Sequence, residues 1–173
     1  MEYVTEKRAI ELLRKYAPSE EDFKAVLAHA KAVQKAAVKM CRKVKCDVNF
    51  VKTACLLHDI GRFQCIKPIW HGLVGAKILL EEGLPRHALV AERHLGAGIS
   101  KEDIREQKID LPLKDYVPKT AEEKIVAHAD NLVFGARIGT LKEAVDRFSK
   151  EIGKKCGKKV RALGKEIERL KKK

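Results

Sequence analysis

Apolar positions along this chain recur in steps of three and four, and runs that alternate every second residue are absent. That is the helical period, so the pattern predicts an all-α fold. A first helix is expected over about Glu6 to Tyr16, stopping before Pro18. Ser19-x-x-Asp22 reads as a capping box for a second helix, about Glu20 to Val44. Its apolar face runs Phe23, Val26, Ala30, Val33, Ala37, Met40 and Val44, with His29 beside it. Asp47 or Asn49 opens a third helix that ends near His58-Asp59, with Gly61 as its stop. Further helices are expected from about Trp70 to Glu82 and from Pro85 to about His94. Ser100-x-x-Asp103 opens a short one, and Thr120-x-x-Glu123 opens another that reaches Phe134.

The last segment predicts one long amphipathic helix, about Leu141 to Leu170. Its stripe is Leu141, Val145, Phe148, Ile152, Cys156, Val160, Leu163, Ile167 and Leu170. Such a stripe must pack either on the body of the protein or on a second copy in a homodimer. Gly153, Gly157 and Gly164 weaken the helix locally. No internal repeat or long linker divides the chain, so one domain over residues 1–173 is expected, with its functional core at about 22–137.

Composition adds limits. A chain of 173 residues with 45% hydrophobic content can bury a real core. No apolar run approaches the roughly 18 residues of a membrane span. The start, MEYVTEKRAI, lacks an apolar secretory segment, so a cytoplasmic location without membrane contact is expected. Five cysteines without a C-x-x-C pair read as reduced thiols. Charged residues reach 35% while Asn and Gln are scarce, which leans towards a thermophile. The net charge is +13, and residues 150–173 hold 11 Lys/Arg against 3 Glu, so +8 sits in the last segment. Its polar face (Lys154, Lys158, Arg161, Lys165, Arg169) and the terminal KKK could follow an RNA backbone or form a solvated surface. The stripe offers only Phe148 for base stacking.

His29, His58, His71 and His94 fall in separate helical segments, and Asp130 falls in a fifth. Singly, each suits ordinary packing. Together they can be aimed at one interior point of a bundle, where a cation would compensate buried carboxylates. His58 and Asp59 are adjacent and differ by about 100° on a helix, so they share a centre only where the helix is ending. His128 lies two residues from Asp130 and points the opposite way. His87 lies too far along its helix from His94 to join the same ion. Both are excluded.

The segments HAKAV, LLHDIGR, HGLVGAKILL, ERHLGAG and EEKIVAHADNL now stand in order, and the H…HD…D series resembles the HD-domain superfamily of metal-dependent phosphohydrolases. The resemblance covers about Asp22 to Arg137 and is strongest to small archaeal HDIG proteins. It also extends to two-metal members such as bacterial hydrolases of symmetrical diadenosine tetraphosphate. It implies an HD-domain helical bundle in which His29, His58, Asp59 and Asp130 hold one metal, and Asp59 bridges to a second held by His71 and His94. Mixed imidazole and carboxylate donors favour a transition metal (Fe, Mn, Co, Ni or Zn) over magnesium alone. Many members place Lys three residues after the Asp of the pair; Arg62 stands there in this chain. Asp59 and Arg62 are therefore the catalytic candidates, and Arg62 and Arg93 the phosphate-binding ones. Lys67 and Arg137 rank below them.

The expected activity is hydrolysis of a nucleotide-type phosphate ester or anhydride. Nucleoside monophosphates, dinucleoside polyphosphates and 2′,3′-cyclic or RNA-terminal phosphates all stay open as substrates. The competing expectation is a basic nucleic-acid-binding protein with a structural or idle metal site. An intact ligand set favours the enzyme.

Overall fold

A computed structural model of the chain describes residues 4–170. Helix starts are set by short polar side chains that satisfy otherwise orphaned backbone N–H groups. Thr5 accepts from the Arg8 N–H ahead of α1 (Glu6–Tyr16), and Ser19 accepts from Asp22 ahead of α2 (Glu20–Cys41). Asp47, not Asn49, caps α3 (Val48–Leu57), accepting from Phe50 N–H. A short 3-10 turn, Pro68–Trp70, leads into α4 (His71–Glu81), and Pro85 opens α5 (Pro85–Arg93). Ser100 and Asp103 form a reciprocal capping box on α6 (Lys101–Gln107), and Thr120 caps α7 (Ala121–Asn131).

Helix α2 packs along α3 and α7, while α4 pairs with α5. One apolar cluster, including Val33, Ala37, Phe50, Val51, Ile125 and Val126, fills the space among α2, α3 and α7. A second, built on Leu12, Leu13, Leu56, Leu57, Ile60 and Leu79, joins α1 to α3 and α4. The C-terminal end of α3 enters the second cluster, so whatever follows Leu57 emerges between packed helices. No helix among the described residues is long and apolar enough to cross a membrane.

Three sequence expectations change. The expected long C-terminal helix is two helices, α8 (Leu141–Glu151) and α9 (Lys154–Leu170), which fold back on each other. The chain turns at Gly153, whose φ of 130° suits glycine and few other residues. Gly157 and Gly164, read as weak points, are contact points: a Cβ at Gly157 would overlap Ser149 Oγ, and one at Gly164 would lie 2.8 Å from Leu141 Cδ2. Val145, Val160, Leu163 and Ile167 are buried, so the stripe packs on the chain's own body. The KKK end lies outside the described residues.

The second change is at residues 132–138. Helix α7 stops at Asn131 rather than reaching Phe134, and two short strands follow, β1 (Val133–Phe134) and β2 (Arg137–Ile138), paired antiparallel. The Arg147 guanidinium donates to the carbonyls of Asn131 and Val133, satisfying helix-end acceptors that a continuing helix would have used. The third change concerns Gly61. It does not end a helix by a left-handed turn; it lies in the 3-10 turn Ile60–Phe63, pressed against α4. A Cβ there would overlap the His71 carbonyl oxygen and the Gly75 nitrogen, both rigid backbone atoms.

Candidate metal centre

Helix α3 ends at Leu57, and Asp59 leaves the helical conformation with φ −102° and ψ 10°. That departure turns His58 and Asp59 towards one centre, as adjacent residues at a helix end can be. Both are essentially inaccessible to solvent. Helix α2 brings His29, the first residue of α4 is His71, His94 follows α5, and α7 carries Asp130.

The six side chains converge. His29 Nε2 lies 3.0 Å from Asp130 Oδ1 and 3.6 Å from Asp59 Oδ2. His58 Nε2 lies 3.5 Å from Asp59 Oδ2 and 3.6 Å from Asp130 Oδ1. On the other side, Asp59 Oδ1 is 3.2 Å from His71 Nε2 and 3.4 Å from His94 Nε2. Asp59 thus stands between two groups of imidazoles, one oxygen towards each. Two sets, His29–His58–Asp130 and His58–Asp59–His94, each have donor atoms within 4.8 Å of one another and could hold a metal ion.

Hydrogen bonds at the far side of each ring decide what the near side offers. The Nδ1 atoms donate to backbone carbonyls: His29 to Gly135 at 2.8 Å, His58 to Cys55 at 2.7 Å, His71 to Pro68 at 2.5 Å and His94 to Ala91 at 2.7 Å. Each ring therefore turns its Nε2 inward, and with the proton held on Nδ1 that atom is the one available as a metal donor. His71 and His94 place their Nε2 atoms 3.1 Å apart. His58 Nε2 and Asp59 Oδ1 are buried without a hydrogen-bond partner among the described residues. Lone pairs and carboxylates gathered in this way call for a cation.

The carboxylates match that requirement. Burial alone would push Asp59 up, but the surrounding His58, His71 and His94 rings hold it well below the usual carboxylate range. Asp130 is treated alike: burial is outweighed by its contacts with His29 and His58, and its pKa falls. For His29, burial opposes the charge, and the hydrogen bond and charge of Asp130 carry the balance upward.

The other candidates separate. Arg62 donates from Nε to Asp59 Oδ2 at 2.5 Å and also lines the cavity above the cluster. Arg93 does not reach it: both carboxylate oxygens of buried Glu123 lie 3.1 Å from its Nη1, and it is absent from the cavity wall. Lys67 pairs with Asp110 and Arg137 with Glu143. His87 packs edge-on to Phe50 and shares a hydrogen bond with Thr53, while His128 is buried against Gly164 of α9. The five cysteines are unpaired, and burial pushes Cys41 up to about 12.

Five of the six clustered residues, all but the fully buried His58, form one side of a cavity of about 700 Å³. Its other walls come from Ile99 and Ile109 flanking α6, and from Phe148, Ile152 and Lys159 of the C-terminal hairpin. Lys159 and Lys155 pair with Asp103, and Lys155 also pairs with Glu106, tying α9 to α6 across the cavity edge. These wall residues escape a linear reading, because a straight C-terminal helix could not place them there. Gly153 within the apolar stripe is the available sign of a fold-back.

Residues 26–135 match the HD domain family. A protein of Methanocaldococcus jannaschii is 47% identical over 135 residues, which are 75% of this chain and 78% of that protein. A tRNA (cytidine(56)-2′-O)-methyltransferase of Thermoplasma volcanium is 42% identical over 84% of this chain, but the match spans only 41% of that enzyme. Ribonuclease Y of Chloroflexus aurantiacus is 30% identical over 73% of this chain and 22% of its own length. Among solved structures, the HD domain of the Listeria monocytogenes phosphodiesterase PgpH superposes with a TM-score of 0.53 at 20% identity. It covers 90% of this chain and 94% of that domain, and so shares the fold. The family match spans well over half of the chain and contains all six clustered residues: the chain belongs to the HD-domain family.

Proposed function

We infer that this chain is a metal-dependent phosphohydrolase acting on a nucleotide-type phosphate ester or anhydride. One observation carries the reading: four imidazole Nε2 atoms and two carboxylates converge beside a cavity of about 700 Å³, and two of these atoms, His58 Nε2 and Asp59 Oδ1, are buried with no hydrogen-bond partner among the described residues. His29, His58, Asp59 and Asp130 would hold one ion; Asp59, His71 and His94 would hold a second. Bound divalent ions would polarise a phosphoryl group and lower the pKa of an attacking water.

The chain's own groups do the rest. The carbonyl bonds to Nδ1 hold each ring in the required tautomer and orientation. Arg62 steadies the Asp59 carboxylate through Nε and keeps its terminal nitrogens for a phosphate oxygen. The apolar walls at Ile99, Ile109 and Phe148 exclude water from the reacting centre and suit the body of a nucleotide. A PgpH HD domain in complex with cyclic-di-AMP supports a nucleotide substrate, and relatives named for tRNA methylation and for a ribonuclease support an RNA-derived one. The intact donor set weighs against the idle-site alternative.

The test is hydrolysis of nucleoside monophosphates, dinucleoside polyphosphates, cyclic phosphates and RNA ends with added manganese, cobalt, nickel, iron or zinc. Wild type is expected to turn over at least one class, and Asp59→Asn to lose more than the roughly 10–100-fold typical of perturbing a ligand's outer partners. Equal turnover by the variant would refute the reading.

A further inference from the structure

A groove of about 510 Å³ lies outside the metal cavity, between α2 and the β1–β2 hairpin. Lys31, Lys35 and Lys39 form its charged side, and Ala28, Ala32 and Ala136 form much of its floor. The three lysines are exposed, and no acidic side chain lines the groove among the described residues. Elsewhere on the surface lysines are often matched: Lys15 to Glu82, Lys114 to Glu92, Lys155 to Glu106. Here three successive turns of one helix carry a cation each over a floor of small side chains.

Position gives the groove its meaning. Gly135 lines the metal cavity and accepts the Nδ1 proton of His29; the next residue, Ala136, lines the groove. Consecutive residues of the hairpin turn thus border the two depressions, while on α2 the groove lysines occupy a different face from His29. Lysines four apart repeat every ~6 Å along a helix axis, a spacing that matches successive phosphates of an extended single strand. The alanine floor lets a sugar–phosphate backbone approach closely. With no aromatic side chain in the groove, contact would be to phosphates and not to bases.

We propose that the Lys31–Lys35–Lys39 groove is a track for the backbone of single-stranded RNA, leading a strand end over the Gly135–Ala136 turn into the metal cavity. This differs from the C-terminal basic face as an RNA contact. The inner lysines of α9, Lys155 and Lys159, are committed to Asp103 and Glu106. The track stands without the catalytic reading; delivery of a strand end to the cavity rests on it.

The experiment measures binding of a labelled single-stranded oligoribonucleotide by anisotropy across a salt series, on metal-loaded full-length protein. Wild type is compared with K31Q/K35Q/K39Q and with K154Q/K158Q/K165Q. Hydrolysis of bis(p-nitrophenyl) phosphate and metal content are measured alongside. The first triple variant is expected to lower affinity by at least tenfold and to reduce the salt slope by about 2, from ~0.7 per phosphate contact. Metal content should be unchanged, as should hydrolysis of the small diester by any protein that shows it. Loss confined to the α9 variant overturns the track, as does absence of oligonucleotide binding by wild type. Capture by anionic phospholipid vesicles without oligonucleotide binding also overturns it. Failure of all proteins to hydrolyse the small diester bears on the catalytic reading alone, because the binding arm is scored separately.

Discussion

Arginine 93 and arginine 62 lie on equivalent terms in the sequence, each next to a residue of the cluster or three from it, yet the fold gives them different partners. Arg93 is largely buried against Glu123, so Arg93→Gln leaves a buried carboxylate without its counter-charge. Chemical denaturation should register a loss of about 3 kcal/mol or more, while turnover per folded molecule stays near wild type. A large loss of turnover in a stable variant would return Arg93 to the phosphate site. His87 makes a second residue-scale prediction. Burial, with Arg86 adding to it, lowers its pKa to about 4 from 6.5. The folded state then holds the neutral ring where the unfolded chain binds a proton. Its contribution is complete above pH 6.5 and is lost as pH falls towards 4, by about 3 kcal/mol in total. Urea midpoints across that window should show the slope in wild type and a smaller one in His87→Gln; equal slopes would contradict it.

Among the helices, the features best read from sequence were those with local causes. Caps at Ser19, Ser100 and Thr120, and the proline at Pro85, fixed starts by satisfying or lacking backbone N–H groups close by. The periodic stripe of the last segment was equally plain, but a stripe does not say whether it continues through a glycine, and Gly153 folds it back. The end of α7 depended on Arg147, sixteen residues downstream of Asn131, which no local pattern announces. Gly61 shows the same division: its type was legible, its reason was not, because the reason lies in the α4 backbone across the contact. Gly61→Ala should therefore cost about 2–3 kcal/mol by overpacking. It should also weaken metal affinity by displacing His71. Thermal melts of the apo protein and metal titrations separate the two effects, and an unchanged melting temperature would contradict the close approach.

Across the whole molecule, the sequence showed which side chains could meet but not what surrounds them. The placing of His29, His58-Asp59, His71, His94 and Asp130 in five helical segments allows convergence in a bundle, and the resemblance to the HD-domain superfamily names the full set. The cavity above them was not legible. It is closed by α6 and by α9, joined through Lys159, Lys155 and Asp103, and these contacts exist only after the C-terminal hairpin forms. For Asp103, burial alone would push the carboxyl up, but Lys159, Ser100 and Lys155 hold it well below the usual range. The clasp should thus persist through neutral and mildly acidic pH, and fail only as pH falls through that low value. The basic residues are likewise sorted by the fold: Lys31, Lys35 and Lys39 line a groove, while Lys155 and Lys159 are neutralised by Asp103 and Glu106.

Whether the buried imidazoles and carboxylates are a metal centre is decided by metal uptake. Its most direct test is a calorimetric titration of the metal-free protein with manganese, cobalt or nickel, read with elemental analysis of the product. Two divalent ions per chain are expected, with a rise in melting temperature as free metal increases, from binding to the folded state alone. Asp59→Asn should lose that uptake. Wild-type protein that folds, takes up no transition metal and gains no stability from it would rule out a metal centre here.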